Sequence, residues 1–193
     1  MTQLQTLPGG LLDRPISTQT QAGLQAAGRE ESHHHSHGSN GAPTPINKRT
    51  AKEVIAQLKL IPNVEKGHYA ESFRDDHNVT ADRSASTAIY YLLEGHEGYS
   101  RWHRLDAVEL WHYYAGAPLT LSLARDDGSP VREVTLGPDI FNGQQPQVVV
   151  AKGEWQRARS LGDWTLVGTT VAPSFELSGF EMADPDWTPN VSR

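Results

Sequence analysis

From residue 69 onward the chain repeatedly puts apolar or aromatic side chains on alternate positions. Tyr69/Glu71/Phe73, Thr87/Ile89/Tyr91/Leu93, Glu109/Trp111/Tyr113, Leu119/Leu121/Leu123 and Leu166/Gly168/Thr170 each set every second residue on one side of an extended backbone, the period of a strand. Asp126-Asp127-Gly128, Leu136-Gly137-Pro138-Asp139, Asn142-Gly143 and Leu161-Gly162-Asp163 break these runs with residues that favour tight turns. One earlier segment has a helical period. In Thr50-Ala51-Lys52-Glu53-Val54-Ile55-Ala56-Gln57-Leu58, Thr50 precedes the run and Glu53 stands three residues on, the signature of a capping box, and Pro62 is expected to end it. The pattern predicts an all-β domain, a sandwich or small barrel with the jelly roll among the options, carrying one short N-terminal helix.

Residues 1–46 behave differently. They are rich in Gln, Ser, Thr, Gly, Pro and His, hold few large apolar side chains and show no sustained period. Such a composition buries too little surface to offset its ordering entropy, so a disordered arm is expected there, followed by a single domain over 47–193. His33, His34, His35 and His37 lie in this arm and are read as a tag-like or incidental tract, since a flexible segment forms no shaped metal site.

Charge and composition narrow the function. The chain has 193 residues, no cysteine and a formal net charge of -6, and no Lys/Arg cluster interleaves with its aromatic residues. Thiol chemistry is excluded, and nucleic acid is not an expected partner. No apolar run approaches the roughly 20 residues of a membrane span, and no secretory signal pattern opens the chain, so the expectation is a cytoplasmic protein with no membrane partner.

Candidate chemistry concentrates in Gly98-Tyr99-Ser100-Arg101-Trp102-His103-Arg104-Leu105-Asp106-Ala107-Val108-Glu109-Leu110-Trp111-His112-Tyr113-Tyr114-Ala115-Gly116. On a strand, Glu109, Trp111 and Tyr113 share one face. The spacing of His103, Glu109 and Gly116 resembles the cupin motif, with Leu105 in the place of its second histidine. A companion motif reads Ala151-Lys152-Gly153-Glu154-Trp155-Gln156, with Gln156 in the place of a further histidine. A neutral amide oxygen is a weak ligand for a transition metal and Leu is none, so a tightly held metal is not expected.

With Gly67-His68-Tyr69-Ala70-Glu71-Ser72-Phe73-Arg74, Ala88-Ile89-Tyr90-Tyr91-Leu92-Leu93, Pro146-Gln147-Val148-Val149-Val150 and Val171-Ala172-Pro173-Ser174-Phe175-Glu176, residues 50–183 resemble the DUF985 (cupin 5) family. The resemblance implies a cupin jelly-roll β-barrel that forms a homodimer, with Glu109 inside. Where the family has an Arg this chain has Ala70, which removes a fixed cation and implies a less anionic ligand.

The resulting expectation is a small-molecule enzyme performing acid-base isomerisation, epimerisation or a related elimination on a ring-containing metabolite or sugar derivative. His103, Glu109 and Glu71 are the candidate catalytic residues, and Tyr69, Tyr91, Trp111, Tyr113 and Gln156 the candidate substrate contacts. Glu71 is taken as the second interior carboxylate because Glu65, Tyr69 and Glu71 fall on even spacing. No cofactor is assigned. If a divalent metal is present, His103, Glu109 and Gln156 would hold it, giving a metal-dependent cupin. A non-catalytic binding module is the remaining alternative.

Overall fold

The computed structural model of the chain describes residues 42–190. The expected arm and its histidine tract therefore lie outside the described residues, apart from residues 42–46. The single α-helix among them, α1 (Ala51–Leu58), opens on the anticipated capping box: Thr50 accepts from the Glu53 N–H, and the Glu53 carboxylate accepts from the Thr50 N–H. Its end comes earlier than Pro62. Lys59 turns left-handed at φ 55° and its N–H reaches back to Ala56, closing the helix before the proline.

The strands follow as β1 (Ile61–Pro62), β2 (His68–Arg74), β3 (Asn78–Thr80), β4 (Arg83–Ser84), β5 (Thr87–Glu94), β6 (His103–Leu105) and β7 (Val108–Gly116). The second half contributes β8 (Leu119–Ala124), β9 (Arg132–Leu136), β10 (Gln147–Val150), β11 (Trp155–Ser160), β12 (Trp164–Ala172) and β13 (Phe180–Met182). They form a six-stranded sheet in the order β1-β2-β5-β12-β7-β10, a five-stranded sheet in the order β13-β6-β11-β8-β9, and the small β3-β4 ribbon. Both large sheets are antiparallel throughout, and strands distant in sequence lie side by side, as in a jelly roll.

The expected alternation makes the core. Leu119, Leu121 and Leu123 of β8 are fully buried and meet Tyr91, Leu93, Trp111 and Val167 from the six-stranded sheet. Each such leucine contributes about 1.5–3 kcal/mol by leaving water. A second cluster lies on the outer face of the six-stranded sheet, where Ala51 and Val54 of α1 cover Leu92, Ala115, Trp164 and Leu166.

Two bulges interrupt the alternation of the six-stranded sheet. In β2 the register slips between Glu71 and Phe73, so Phe73 pairs with Ala88 and leaves the face shared by Tyr69 and Glu71. The sequence pattern placed all three together. With Ser72 as the extra residue, Glu71 and Arg74, three apart, come to one side and pair through two hydrogen bonds. In β7 the extra residue is Tyr114, which turns Ala115 outward beneath α1 while Glu109, Trp111 and Tyr113 stay on the inner face.

The glycine that ends the motif, Gly116, has φ +84°, and a Cβ there would collide with the Trp164 carbonyl oxygen. Gly98 has φ +71° but open space around it. Gly116→Ala is therefore expected to lower unfolding free energy in urea by about 2–4 kcal/mol, and Gly98→Ala by about 1–2 kcal/mol, the cost of the backbone conformation alone. Equal losses for both would contradict this reading.

Candidate functional site

Between the sheets lies a cavity of about 450 Å³. Its floor combines both sheets. His103 (β6) and Gln156 (β11) are cross-strand neighbours in one, while Glu109 and Trp111 lie two apart on β7 in the other. The Trp111 indole N–H donates to Gln156 Oε1 at 2.8 Å, and Gln156 Nε2 donates to Glu109 Oε2 at 2.6 Å. An indole N–H can only donate, so the amide oxygen must face Trp111 and the amide nitrogen must face Glu109.

His103 is buried. Its Nδ1 lies 3.0 Å from the Arg101 carbonyl oxygen and 3.4 Å from Glu65 Oε2. A carbonyl only accepts, so the neutral ring carries its proton on Nδ1 and keeps a lone pair on Nε2. Among the described residues Nε2 has no hydrogen-bond partner, and His103 lines the cavity.

Glu65, rather than Glu71, is the second carboxylate of the interior. Residues 63–67 are not strand but a tight turn, with Asn63 N–H bonded to Gly67 O and Lys66 at φ 84°. The turn folds Glu65 inward beside His103. Its backbone is pinned by the Arg101 N–H on Glu65 O and the Tyr91 hydroxyl on Lys66 O. Even spacing between Glu65 and Glu71 assumed a continuous strand, which Gly67 at φ +73° interrupts; that glycine was the available signal. Glu71 sits at the mouth, exposed, with both carboxylate oxygens engaged by Arg74.

The other expected contacts separate. Tyr69, Tyr91 and Trp111 line the cavity, and Tyr91 meets Trp111 edge-on with ring centres 5.9 Å apart. Tyr113 packs against the apolar core instead, and its hydroxyl donates to Gly116 O at 2.7 Å. Gln156 is buried behind Glu109 and Trp111 rather than on the cavity surface. Apolar walls come from Ile89, Leu105 and Val171. The mouth is rimmed by Val64 of the 63–67 turn and by Phe175, Leu177 and Phe180, on a segment held by Arg83, which bonds both Asp106 and Ser174 O.

Burial governs the protonation of the floor. It pushes the Glu65 carboxyl up to about 8. It lowers His103, against the opposing pull of Glu109 and the Arg101 carbonyl. It also raises Glu109, which His103 and hydrogen bonds from Gln156 and Thr169 draw part of the way back. Near neutral pH the pair beside one another is thus a protonated carboxyl and a neutral imidazole.

Two facing antiparallel sheets enclosing a cavity floored by a histidine and carboxylates are the architecture of a cupin. A family model described as the cupin superfamily (DUF985), Cupin_5, matches residues 52–183, and the chain belongs to that family. It is similar to a protein of Shewanella oneidensis solved by X-ray crystallography, with 32% identity and a TM-score of 0.66, over 70% of this chain and 85% of that one. It is also similar to a hypothetical protein from Leishmania major, with 31% identity and a TM-score of 0.64, over 69% and 86% of the two chains. No curated protein matches the chain. No helix among the described residues is long and apolar enough to cross a membrane.

A metal at the motif position does not fit the donors present. Leu105 supplies no ligand, and Gln156, whose oxygen accepts from Trp111 and whose nitrogen is directed at Glu109, is buried off the cavity surface. That leaves His103 and Glu109 of the motif, and Glu65 does not join them in a cluster of three ligand atoms among the described residues, short of the three protein ligands of an open catalytic site.

The Glu65 carboxyl also sets a pH dependence of stability. Its folded value near 8 exceeds the ordinary 4.5, so the folded chain binds the extra proton between those values. Its favourable contribution is complete below about 4.5 and is lost as pH rises to about 8. Glu65→Gln is expected to remove most of a decline on the order of 3 kcal/mol between pH 5 and 8 in urea titrations. An unchanged slope in the variant would contradict the assignment.

Proposed function

We propose that the chain moves a proton on a neutral, ring-containing small molecule held between the sheets, in an isomerisation, an epimerisation or a related elimination. The observation that carries this reading is the pairing of Glu65 with His103 at the cavity floor: a carboxyl held protonated beside an imidazole held neutral. Groups whose environments drive their pKa values apart can serve as acid and base in one turnover.

In this reading His103 Nε2 removes a proton from a carbon next to a carbonyl, and the C–H electron pair moves onto the carbonyl oxygen. Glu65 supplies a hydrogen bond or proton to that oxygen. The imidazolium formed is stabilised by Glu109 and returns its proton to the same or a neighbouring carbon, and Glu65 recovers its proton from the oxygen that becomes the product carbonyl, so the enzyme ends the cycle unchanged. Gln156 holds Glu109 in place, and Tyr69, Tyr91 and Trp111 offer flat apolar surfaces to the ring. Glu71 steadies the mouth through Arg74 and takes no part in proton transfer. A neutral substrate suits the cavity, because the one Arg that lines it, Arg74, is already shared between Glu71 and Glu176.

The test is hydrogen exchange. A panel of neutral cyclic ketones, lactones and sugars would be incubated with the protein in D2O, and loss of carbon-bound protons followed by NMR. His103→Ala is expected to slow exchange about 100-fold or more and Glu65→Gln at least about 10-fold, with circular dichroism unchanged. The rate should rise with pH through the depressed His103 titration and fall through the Glu65 titration near 8. Full turnover in folded His103→Ala and Glu109→Gln variants would refute the mechanism. A ligand bound tightly and recovered without exchange would favour a binding module.

A further inference from the structure

We propose that His68, Glu94 and Glu97 form a binding site for a divalent transition-metal cation, on the outer face of the six-stranded sheet and separate from the cavity. Their ligand atoms all lie within 4.8 Å of one another. Tyr69 faces the cavity, so its neighbour His68 faces away from it. Glu94 ends β5, and Glu97 follows in the 3-10 turn Gly95–Glu97.

The three groups are arranged for a ligand rather than for one another. His68 Nδ1 is buried with no hydrogen-bond partner, and His68 makes no hydrogen bond or ion pair with either carboxylate among the described residues. A buried nitrogen left unpaired is costly, and modest side-chain rotation would draw the three groups, already within 4.8 Å, onto one ion. The carboxylates are held in advance. Glu94 and Glu97 form a reciprocal capping box, and the Glu97 oxygens accept from Gly67 N–H at 3.1 Å and Glu94 N–H at 3.3 Å. Each oxygen retains a further lone pair for a cation.

His96 is exposed, with Nδ1 3.6 Å from Glu94 Oε2, and can swing in as a fourth donor. One or two imidazoles with two carboxylates suit Zn²⁺ or a neighbouring transition ion better than Mg²⁺ or Ca²⁺, which prefer all-oxygen sites. The position of the site gives it a consequence. Glu97 also receives Lys66 Nζ on its carbonyl oxygen, so the ion would clamp the turn that carries Glu65 into the cavity.

The experiment is isothermal titration of Zn²⁺ into the full chain with His33, His34, His35 and His37 replaced by Ala, which removes the competing tract. About one Zn²⁺ per chain is expected. Binding should be lost in His68→Ala and weakened at least tenfold in Glu94→Gln, and it should be unchanged in His103→Ala. His68→Asn, with circular dichroism as the folding check, separates loss of the ligand from loss of the fold. Absence of binding, binding indifferent to both His68 substitutions, or binding lost in His103→Ala would each overturn the site.

Discussion

The Gln156 amide, held across the two sheets between Trp111 and Glu109, is the constraint on which the rest of the interior depends. Its orientation has one solution, because an indole nitrogen cannot accept. That choice fixes the Glu109 carboxylate from β11, ties the five-stranded sheet to the six-stranded one in the core, and satisfies three buried polar groups at once. It also commits the amide to its two neighbours, off the cavity surface. Chemistry at the floor is left to His103, whose Nδ1–H is committed to a carbonyl, and to Glu65, the carboxyl beside it.

Around that floor the walls are apolar, and among the described residues the cavity has no free cation. Ile89, Leu105 and Val171 replace water on the walls, and Arg74 at the mouth is balanced by two carboxylates. Desolvation then favours neutral Glu65 and neutral His103 alike. Proton transfer between neutral partners follows from this environment more readily than recognition of an anion. Ala70, expected to make the ligand less anionic, lies on the outer face of β2 against the helix cluster, so its identity does not bear on the cavity.

Strands announced themselves in the sequence because their inner faces are continuous with the core: Leu119, Leu121 and Leu123 are apolar for the same reason that they are buried. The spacing that ends in Gly116 located His103 and Glu109, and a left-handed residue packed on the Trp164 carbonyl explains why a glycine stands there. What escaped were departures from regular geometry. Bulges at Ser72 and Tyr114 shift the phase of β2 and β7 by one residue, which alternation cannot foresee, and so Phe73 leaves the inner face. Even spacing puts Glu65 and Glu71 on one strand face, whereas residues 63–67 form a turn that carries Glu65 inward and leaves Glu71 exposed at the mouth. Tyr113 lies on the expected face, but its hydroxyl is spent locally on Gly116 O, a contact that only three-dimensional placement reveals.

The central claim is that Glu65 and His103 are both neutral at physiological pH, and NMR titration of the two side chains tests it most directly. With ¹³C-labelled glutamate carboxyl groups and ¹⁵N-labelled histidine, Glu65→Gln and His103→Ala would assign the signals. The account predicts a Glu65 carboxyl that titrates near 8, and a His103 ring that carries its proton on Nδ1 and becomes charged only below the ordinary imidazole range. A Glu65 carboxylate already ionised at pH 6, paired with a His103 imidazolium at pH 7, would contradict it.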